Sequence, residues 1–360
     1  VDPCLTIHAS PLLSIHMLHL LTLGFSPPDE LPRVAPNLHA FVTRARNEPE
    51  LVAAELKAAF PGHIIPEMGS LSRSTANATL PMVVTHGMGD SCFNPGMKSI
   101  TKAAGDRLGV YSVCIPTGGN LLTDTINGFL MNMDRSVDEF AKRVKADPKL
   151  AGGFSAFGIS QGNNILRGYI AKYNDPPVRT FMSICGINAG VAAFPYCADN
   201  TPIIGSACTA FSEVLGKLAY FSVVQDILFQ ANYFRDPERL ADPQYLEHSQ
   251  LAKWNGETDF DMSAWKANWA RTSDFIWVEA TRDLMVYPRE GEQWGALAWD
   301  GATKNLTVLP MKQTEWYTKD SFGLRTADEA GKNHFESFKG NHIRFTMPEL
   351  QGWLDKYFSA

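Results

Sequence analysis

Long apolar runs, blocks of like charge and closely paired cysteines are all missing from this 360-residue sequence. The apolar segment 11–25 is broken by two histidines and is too short to span a bilayer, so we expect no transmembrane segment. No run of five like charges occurs and the formal net charge is only −6, which disfavours a nucleic-acid partner. The six cysteines form no C-x-x-C pair and no zinc-like Cys/His cluster, which disfavours a metal site.

Two glycosylation sequons and the short apolar segment together indicate a secretory protein. Asn77 and Asn305 each begin an Asn-x-Thr triplet, a glycan acceptor in compartments where disulfides also persist. The segment 11–25 has nearly the length of a signal-peptide core, although the first basic residue is Arg33 and no positive flank precedes the segment. We therefore expect glycans on Asn77 and Asn305 and a location in the secretory pathway.

The sequence pattern divides the chain into an extension and a main domain. Residues 1–79 carry proline-rich breaks and one predicted helix, 38–60, and are interpreted as an N-terminal extension with a signal remnant and a helical arm. Residues 80–360 alternate short apolar runs with amphipathic stretches, which is typical of a mainly parallel sheet flanked by helices. The alternation stops at about 187–272, where apolar helix-like stretches predict an inserted, mostly helical cap.

The individual strands and helices of the main domain follow from these runs. The predicted strands are 82–85, 111–115, 155–159, 180–184, 275–280 and 306–309. The predicted helices are 95–108, 161–172, 348–358 and one that begins at Ser136, where Ser136 and Glu139 have the spacing of a capping box.

The segment 158–162 has the pattern G-x-S-x-G, with Ser160 at its centre. The pattern falls where a predicted strand ends and a predicted helix begins, which is the context of a nucleophile elbow. Glycine at positions 158 and 162 lets the sharp turn close, and the turn raises the serine hydroxyl toward the N-terminus of the helix. We therefore predict an α/β-hydrolase fold in which Ser160 is the nucleophile, flanked by Gly158 and Gly162.

A serine nucleophile needs a neighbouring base, and on this fold the base follows both the serine and the acid in chain order. Three histidines follow the nucleophile, namely His248, His334 and His342. His248 lies in the predicted cap, ahead of the strand that delivers the acid, and so violates the order. His342 follows a glycine-containing loop and precedes the last helix, so it is the predicted base, with His334 as the alternative.

The predicted acid is Asp283, which stands just past a predicted strand. A carboxylate at the carboxyl end of a parallel strand is well placed to meet a histidine on a neighbouring loop. Asp274 precedes the same strand and would emerge at the wrong end, while Asp300 and Asp320 are interpreted as turn residues. The alternative for Asp283 is a solvated carboxylate that pairs with Arg282.

The first predicted strand leads into the sequence HGMGD at residues 86–90. Hydrolases of this fold place one amide donor of the oxyanion hole in this loop and a second one just after the nucleophile. The predicted donors are therefore the backbone amides of Met88 and Gln161. His86 precedes the nucleophile in the chain and is interpreted as shaping the loop.

These motifs resemble the palmitoyl-protein thioesterase family, a lysosomal-type family of α/β-hydrolases. The resemblance runs from about residue 81 to the C-terminus and rests on HGMGDSC at 86–92, NP at 94–95, GISQG at 158–162, DP at 236–237, YTKD at 317–320 and GNH at 340–342. The family pattern implies a triad of Ser160, Asp283 and His342, an oxyanion hole at Met88 and Gln161, no cofactor, and a lysosomal, vacuolar or secreted location.

The resemblance also bears on the cysteines. The family has a cysteine pair just after the strand that precedes the cap, which implies a disulfide between Cys197 and Cys208. The sequence departs from the family at Phe93, where a second adjacent cysteine would stand. Cys92 is therefore expected to be free or bonded elsewhere.

The resemblance implies hydrolysis of long-chain acyl thioesters through an acyl-enzyme intermediate. The expected substrates are palmitoylated proteins or peptides and long-chain acyl-CoA, with the acyl chain or the free fatty acid in an apolar groove lined by the predicted cap. Two alternatives stay open on sequence alone. One is a lipase or carboxylesterase acting on oxygen esters, and the other is a lipid-binding protein that has kept the fold without the activity.

Overall fold

A computed structural model describes residues 29–73, 80–193 and 214–359 of the chain. The expected glycan acceptor Asn77, the expected disulfide of Cys197 with Cys208 and the apolar segment 11–25 lie outside these ranges. Over the described ranges, no helix combines the length and the apolarity that crossing a bilayer requires.

A parallel sheet forms the centre of the molecule. The described strands are β1 (Met82–Thr85), β2 (Ser112–Cys114), β3 (Phe154–Ile159), β4 (Val178–Ile184), β5 (Asp274–Ala280), β6 (Ala296–Asp300), β7 (Asn305–Leu309) and β8 (Asn333–Phe338). Six of them pair in parallel in the order β2-β1-β3-β4-β5-β8, and β6 and β7 form a separate antiparallel pair. The central strands β1 and β3 are buried along their whole length, as parallel strands covered on both faces are.

Helices connect the strands and cover the sheet. The described helices are α1 (Leu31–Val34), α2 (Pro36–Asn47), α3 (Pro49–Ala59), α4 (Pro95–Leu108), α5 (Leu121–Leu130), α6 (Met133–Ala146), α7 (Gly162–Lys172), α8 (Ser222–Gln225), α9 (Phe229–Asn232), α10 (Pro243–His248), α11 (Gln250–Asn255), α12 (Ser263–Ala270), α13 (Glu315–Thr318), α14 (Leu324–Glu329) and α15 (Met347–Tyr357). Short 3₁₀ turns occur at Pro61–His63, Pro148–Leu150, Arg289–Gln293 and Met311–Gln313, and a π-helical turn at Val214–Leu218.

The two faces of the sheet carry different helices. Val83 of β1 belongs to a buried cluster with apolar residues of α6, α7 and α12. Its neighbours Met82 and Val84 belong to another cluster with residues of α4 and α15, because adjacent side chains in a strand point to opposite faces. The predicted α/β-hydrolase architecture, a mainly parallel sheet flanked by helices, is confirmed.

Two predicted helices have other bounds in the structure. The single predicted helix 38–60 is divided into α2 and α3, because Pro49 cannot continue the hydrogen-bond ladder of α2 and begins a new helix. The helix predicted to begin at Ser136 begins a turn earlier, because Asn132 caps α6 with its side chain. Ser136 is buried inside the helix, so its capping-box pattern does not mark a helix start.

Helices α1 to α3 belong to an arm, residues 29–73, which packs against the cap, the described residues of 187–272. Between β4 and β5 the described residues of the cap form α8 to α12 and no strand. Arm and cap share one buried apolar cluster with Met88 and Phe129, whose members from both sides include Leu38, Val52, Leu56, Tyr220, Val224 and Leu228. The arm therefore closes over the same side of the molecule as the cap.

Candidate active site

The turn between β3 and α7 holds Ser160 in a left-handed backbone conformation, with φ of 52°. A Cβ atom at Gly158 would lie 2.3 Å from Asn163 Oδ1, and one at Gly162 would lie 2.5 Å from the His86 carbonyl oxygen. Glycine is therefore required at both positions for the turn to close, and the strain at Ser160 is stored at the point where its hydroxyl leaves the sheet.

Ser160, His342 and Asp283 lie in one hydrogen-bonded chain. Ser160 Oγ is 2.8 Å from His342 Nε2, and His342 Nδ1 is 2.6 Å from Asp283 Oδ2. Because a carboxylate only accepts hydrogen bonds, Nδ1 carries the proton and Nε2 accepts from the serine hydroxyl. The exposed fractions of the three residues are 0%, 2% and 5%, so the chain is shielded from water. The structure thus brings together the three residues predicted as a triad.

Asp283 follows β5 and is held as an anion. Its Oδ1 accepts hydrogen bonds from the amides of Met285, at 2.6 Å, and Val286, at 2.9 Å. Burial raises the pKa of Asp283, but the hydrogen bond and charge of His342 outweigh burial and lower the pKa to about 2. Asp283 is therefore not the solvated partner of Arg282 that the sequence left as an alternative.

A second carboxyl group, Glu292, lies behind the chain and was not predicted from the sequence. It is fully buried, and its Oε2 accepts a hydrogen bond from the Ala280 amide at 2.9 Å. A carboxyl oxygen of Glu292 lies within 4.8 Å of ligand-type atoms of Asp283, His342 and Cys185. Burial and the charge of Asp283 raise the pKa of Glu292 well above its ordinary value, so Glu292 is neutral beside a charged Asp283.

The other histidines after Ser160 lie away from this chain. His334 Nε2 is 2.9 Å from Asp274 Oδ1, at the start of β5 rather than at its end. His248 lies at the end of α10 in the cap, where its ring is 4.0 Å from the Glu247 carboxylate. Neither histidine is hydrogen-bonded to Ser160, so the geometry favours His342 over the alternative His334.

The predicted oxyanion donors are the backbone amides of Met88 and Gln161, and a Cβ atom at Gly87, the residue before Met88, would lie 3.1 Å from Ser160 Cβ. Among the hydrogen bonds of the described chain, neither amide donates to another residue. The Gln161 side chain is fixed instead, because its Nε2 donates to the Gly128 carbonyl at 2.8 Å and its Oε1 accepts from Gln230 Nε2 at 2.8 Å. Tyr233 donates to the same Oε1 at 3.1 Å. Residues of α5 and the cap therefore position the backbone that carries the predicted oxyanion donor.

A buried anchor holds the loop that contains Met88. Asp124 of α5 is fully buried and accepts hydrogen bonds from the Cys92 amide at 2.9 Å and the Thr117 amide at 2.7 Å. His86 Nε2 lies 3.2 Å from the same carboxylate. Burial lowers the pKa of His86, but the charge and hydrogen bond of Asp124 outweigh burial and raise the pKa to about 9. His86 thus shapes the loop, as its place in the sequence indicates.

A disulfide joins Cys92 to Cys114 beside this anchor. It links the loop after β1 to the end of β2. Of the two states expected for Cys92, free or bonded to a cysteine other than a neighbour at position 93, the structure has the second. Cys185 is a buried free thiol within the described residues, and burial raises its pKa well above the ordinary value.

Two groups of side chains in the described chain contain enough donor atoms to be compared with a metal site. One consists of Cys185, Asp283, Glu292 and His342, and the other of His86, Cys92 and Asp124. Cys92 is in a disulfide, and a protonated thiol or carboxyl group is a poor metal ligand. The remaining donors are already used in hydrogen bonds and ion pairs. That the protein needs no metal stays a prediction.

The arm supplies one further side chain to the site. His63, in the 3₁₀ turn after α3, is 3% exposed, and its ring centroid is 5.0 Å from that of His342. Arg344 ties this part of the arm to the His342 loop by donating to the carbonyls of Ile64, at 3.1 Å, and Pro61, at 3.2 Å. No motif marks His63, because its place in the site depends on how the arm folds back.

Comparison with known proteins places these residues in a family. A family model described as palmitoyl protein thioesterase matches residues 81–342, which contain Ser160, Asp283 and His342. The chain belongs to the palmitoyl protein thioesterase family. The family predicted from the sequence is thereby confirmed, and the match leaves the arm, with His63, outside it.

Individual relatives agree with the family match. The chain is 32% identical to palmitoyl-protein thioesterase 1 of Caenorhabditis elegans over 288 residues, which cover 78% of this chain and 93% of that protein. It is 30% identical to palmitoyl-protein thioesterase 3 of Dictyostelium discoideum over 298 residues, covering 78% and 96% of the two chains.

Among solved structures, an extracellular α/β-hydrolase from a Paenibacillus species has a TM-score of 0.38 at 14% identity, covering 78% of this chain and 99% of that one.

Proposed function

We propose that this member of the palmitoyl protein thioesterase family hydrolyses long-chain fatty acyl thioesters, with Ser160 as the nucleophile. The substrates would be S-palmitoylated cysteines of proteins and peptides, or palmitoyl-CoA. The observation that carries the proposal is the hydrogen-bonded chain from Ser160 Oγ through His342 to Asp283, with distances of 2.8 and 2.6 Å. Such a chain activates a serine hydroxyl, which is hardly ionised at neutral pH.

The first half of the reaction forms an acyl-enzyme. Ser160 Oγ attacks the thioester carbonyl carbon while His342 Nε2 takes the hydroxyl proton, and Asp283 stabilises the resulting imidazolium. The amides of Met88 and Gln161 donate to the oxyanion that develops on the carbonyl oxygen. The carbon–sulfur bond then breaks, the acyl group stays on Ser160, and the sulfur leaves as a thiol with the proton from His342.

The second half releases the fatty acid. A water molecule gives a proton to His342 Nε2 and attacks the acyl-serine carbonyl, after which the proton passes to Ser160 Oγ as the ester bond breaks. A cysteine thiol has a pKa of about 8.5, so its sulfur leaves readily and the first half needs little help from a general acid. No step requires a cofactor.

The acyl chain would lie in an apolar cavity between the arm and α5. The cavity has a volume of about 430 Å³, and the residues that line it include Ala53, Ala54, Leu121, Leu122 and Thr125. The same helix α5 continues to Gly128, whose carbonyl accepts the hydrogen bond from Gln161. The apolar cap residues that the sequence assigns to a groove, such as Val224 and Leu228, are instead fully buried against the arm.

A steady-state assay with matched substrates tests the proposal. We expect the native chain to turn over palmitoyl-CoA faster than a palmitoyl oxygen ester of similar size, and Ser160→Ala to lose at least about 10⁴-fold in kcat. Faster cleavage of the oxygen ester would instead indicate a lipase or carboxylesterase. Failure of the folded native chain to react with a fluorophosphonate at Ser160 would indicate an inactive lipid-binding protein.

We also propose that the protein acts in the secretory pathway, in a lysosome or vacuole or outside the cell. Support comes from the Cys92–Cys114 disulfide, from the exposed position of Asn305 at the start of β7, and from a 26% identical relative called a lysosomal thioesterase homologue in Drosophila melanogaster. Glycosidase treatment of the native protein and of Asn305→Gln tests this, since the native chain is expected to show a larger mass shift than the variant, which keeps only the acceptor Asn77. An unshifted native protein in a reducing compartment would contradict it.

A further inference from the structure

The two ring nitrogens of His63 are unusual because both are buried and neither has a hydrogen-bond partner among the described residues. Buried polar side-chain atoms are paired in the great majority of cases, and leaving one unpaired costs about 1–3 kcal/mol. Another buried histidine in the same region, His86, differs in that its Nδ1 is hydrogen-bonded to the Gly87 carbonyl and its Nε2 lies 3.2 Å from the Asp124 carboxylate. An imidazole held without partners next to the ring of His342 is a group that substrate can satisfy.

The chain fixes the place of His63 firmly. The Ile65 amide donates to Asp90 Oδ2 at 2.9 Å, and Lys57 Nζ donates to Asn94 Oδ1 at 2.9 Å, so the arm is fastened on both sides of His63. The ring of Phe60 lies 6.0 Å from the His63 ring and packs against it edge-on. His63 is therefore a positioned side chain and not a residue of a loose loop.

The partner of His63 follows from the direction in which the thiol leaves. The leaving sulfur takes its proton from His342 Nε2, so it must pass beside the His342 ring, and the His63 ring stands edge-on to that ring at 5.0 Å. In both an acylated cysteine residue and acyl-CoA, an amide group begins two carbons beyond the sulfur. A neutral imidazole offers one donor and one acceptor, which match the C=O and N–H of an amide.

Burial and the charge of His342 lower the pKa of His63 well below its ordinary value. The ring is therefore neutral at the pH of most assays, with one nitrogen as a donor and the other as an acceptor. A neutral ring also avoids repulsion with the imidazolium that His342 becomes during the reaction.

Resting on the proposed function, we infer that His63 is a specificity-determining residue that hydrogen-bonds the amide group two carbons beyond the thioester sulfur. The inference assigns a substrate contact to the arm, which lies outside the part of the chain matched by the family model. It predicts a preference for thiols that carry this amide over thiols that lack it, at equal acyl chain.

The test compares S-palmitoyl-N-acetylcysteamine, which has the amide, with S-palmitoyl pentane-1-thiol, which does not. The ratio of their kcat/KM values is measured for the native chain and for His63→Phe, which keeps an aromatic ring against Phe60 without the nitrogens. One neutral hydrogen bond predicts that the ratio falls about fivefold to tenfold in the variant. Differences in intrinsic reactivity between the two thioesters cancel when the ratio of the variant is compared with the ratio of the native chain, because both proteins are given the same substrates.

Three further variants make the result decisive. His63→Asn and His63→Gln keep a donor and an acceptor, and we expect one of them to restore the ratio in part. His39→Phe changes a half-buried histidine of α2 in the same arm, and the ratio should stay as in the native chain. His63→Leu replaces His63→Phe if thermal unfolding shows that the phenylalanine variant does not fold.

The outcomes separate the inference from the proposed function. If His63→Phe and His63→Leu lower kcat/KM for both substrates by the same factor, or leave both unchanged, His63 only packs against His342 and the inference is wrong. If the folded native chain hydrolyses neither thioester, the proposed thioesterase function is wrong and the inference falls with it. Turnover of both thioesters by the native chain, with a ratio that falls in His63→Phe or His63→Leu but not in His39→Phe, would support both.

Discussion

The backbone at Ser160 and the side chains behind it set the chemistry at the scale of single residues. The left-handed conformation of Ser160 directs its hydroxyl at His342, and Asp283 fixes the tautomer of His342 from the far side. Because all three side chains are buried, the pair of charges that forms during the reaction interacts in a medium of low polarity.

Replacing Asp283 with asparagine tests the role of its charge. Asp283→Asn should lower kcat by about 10³- to 10⁴-fold, because an amide favours the wrong tautomer of His342 and cannot stabilise the imidazolium. Asp274→Asn, at the other end of β5, is the matched control and should stay within about threefold of the native chain. Stopped assays with palmitoyl-CoA measure both, and equal losses in the two variants would contradict the assignment of Asp283.

Glu292 makes a prediction about stability and pH. Its raised pKa means that the folded state keeps a proton that the unfolded state, with a pKa of about 4.3, has already released. The contribution of Glu292 to the free energy of unfolding therefore falls as the pH rises above that value. Glu292→Gln has the shape of the protonated acid and lacks this dependence, so the variant should gain stability relative to the native chain as the pH increases.

Urea unfolding at about pH 5 and about pH 8 measures this difference. Glu290→Gln, in the same 3₁₀ turn but at the surface, controls for the loss of a carboxyl group near this site. A stability difference between Glu292→Gln and the native chain that is the same at both pH values would show that Glu292 is charged in the folded protein.

The sequence predicts the reacting residues better than the residues around them. Ser160, Asp283 and His342 could be named because a glycine-flanked motif and a fixed chain order mark them. Glu292 and His63 carry no such mark, because they reach the site from a 3₁₀ turn after β5 and from the arm, whose positions depend on contacts between residues far apart in the chain.

At the scale of secondary-structure elements, two loops are fastened together next to the site. Asp124 of α5 binds the amides that follow β1 and those that follow β2, and the Cys92–Cys114 disulfide joins the same two places covalently. The loop with Met88 is therefore held before substrate arrives. For the oxyanion donor proposed at Met88, preorganisation of this kind means that little reorganisation is needed when the oxyanion forms.

Helix α3 provides a test of the acyl site. Ala54 and Ala58 are both exposed on this helix, but only Ala54 lines the cavity beside α5. Ala54→Trp should lower kcat/KM for palmitoyl-CoA at least about tenfold relative to octanoyl-CoA. The indole would displace the end of the long acyl chain, and losing the burial of about two methylene groups or more has an effect of this size. Ala58→Trp should leave the ratio unchanged, and an unchanged ratio in both variants would place the acyl chain elsewhere.

The strands were easier to predict than the helix boundaries. The continuous apolar runs of β1, β3 and β5 read directly as buried strands, and the structure has them within about two residues of their predicted bounds. Strand β8 was missed, because its sequence NHFESF is polar and only partly buried at the edge of the sheet. Helix α5 was missed as well, and Asn132 rather than Ser136 caps α6.

At the scale of the whole molecule, the arm and the cap enclose the site from one side. Their shared apolar cluster includes Met88, next to the nucleophile, and Ser160 itself has no exposed surface. This cluster could not be predicted, because it joins residues nearly two hundred positions apart in the sequence.

The most direct test of the central claim is to trap the intermediate. The native chain is mixed with palmitoyl-CoA, quenched in acid within the first turnovers, digested, and mapped by mass spectrometry. We predict a palmitoyl ester on Ser160 of the native chain and no acyl group at this position in Ser160→Ala, which should also lack turnover. Continued turnover by Ser160→Ala, or a palmitoyl group on Cys185 in place of Ser160, would contradict the account.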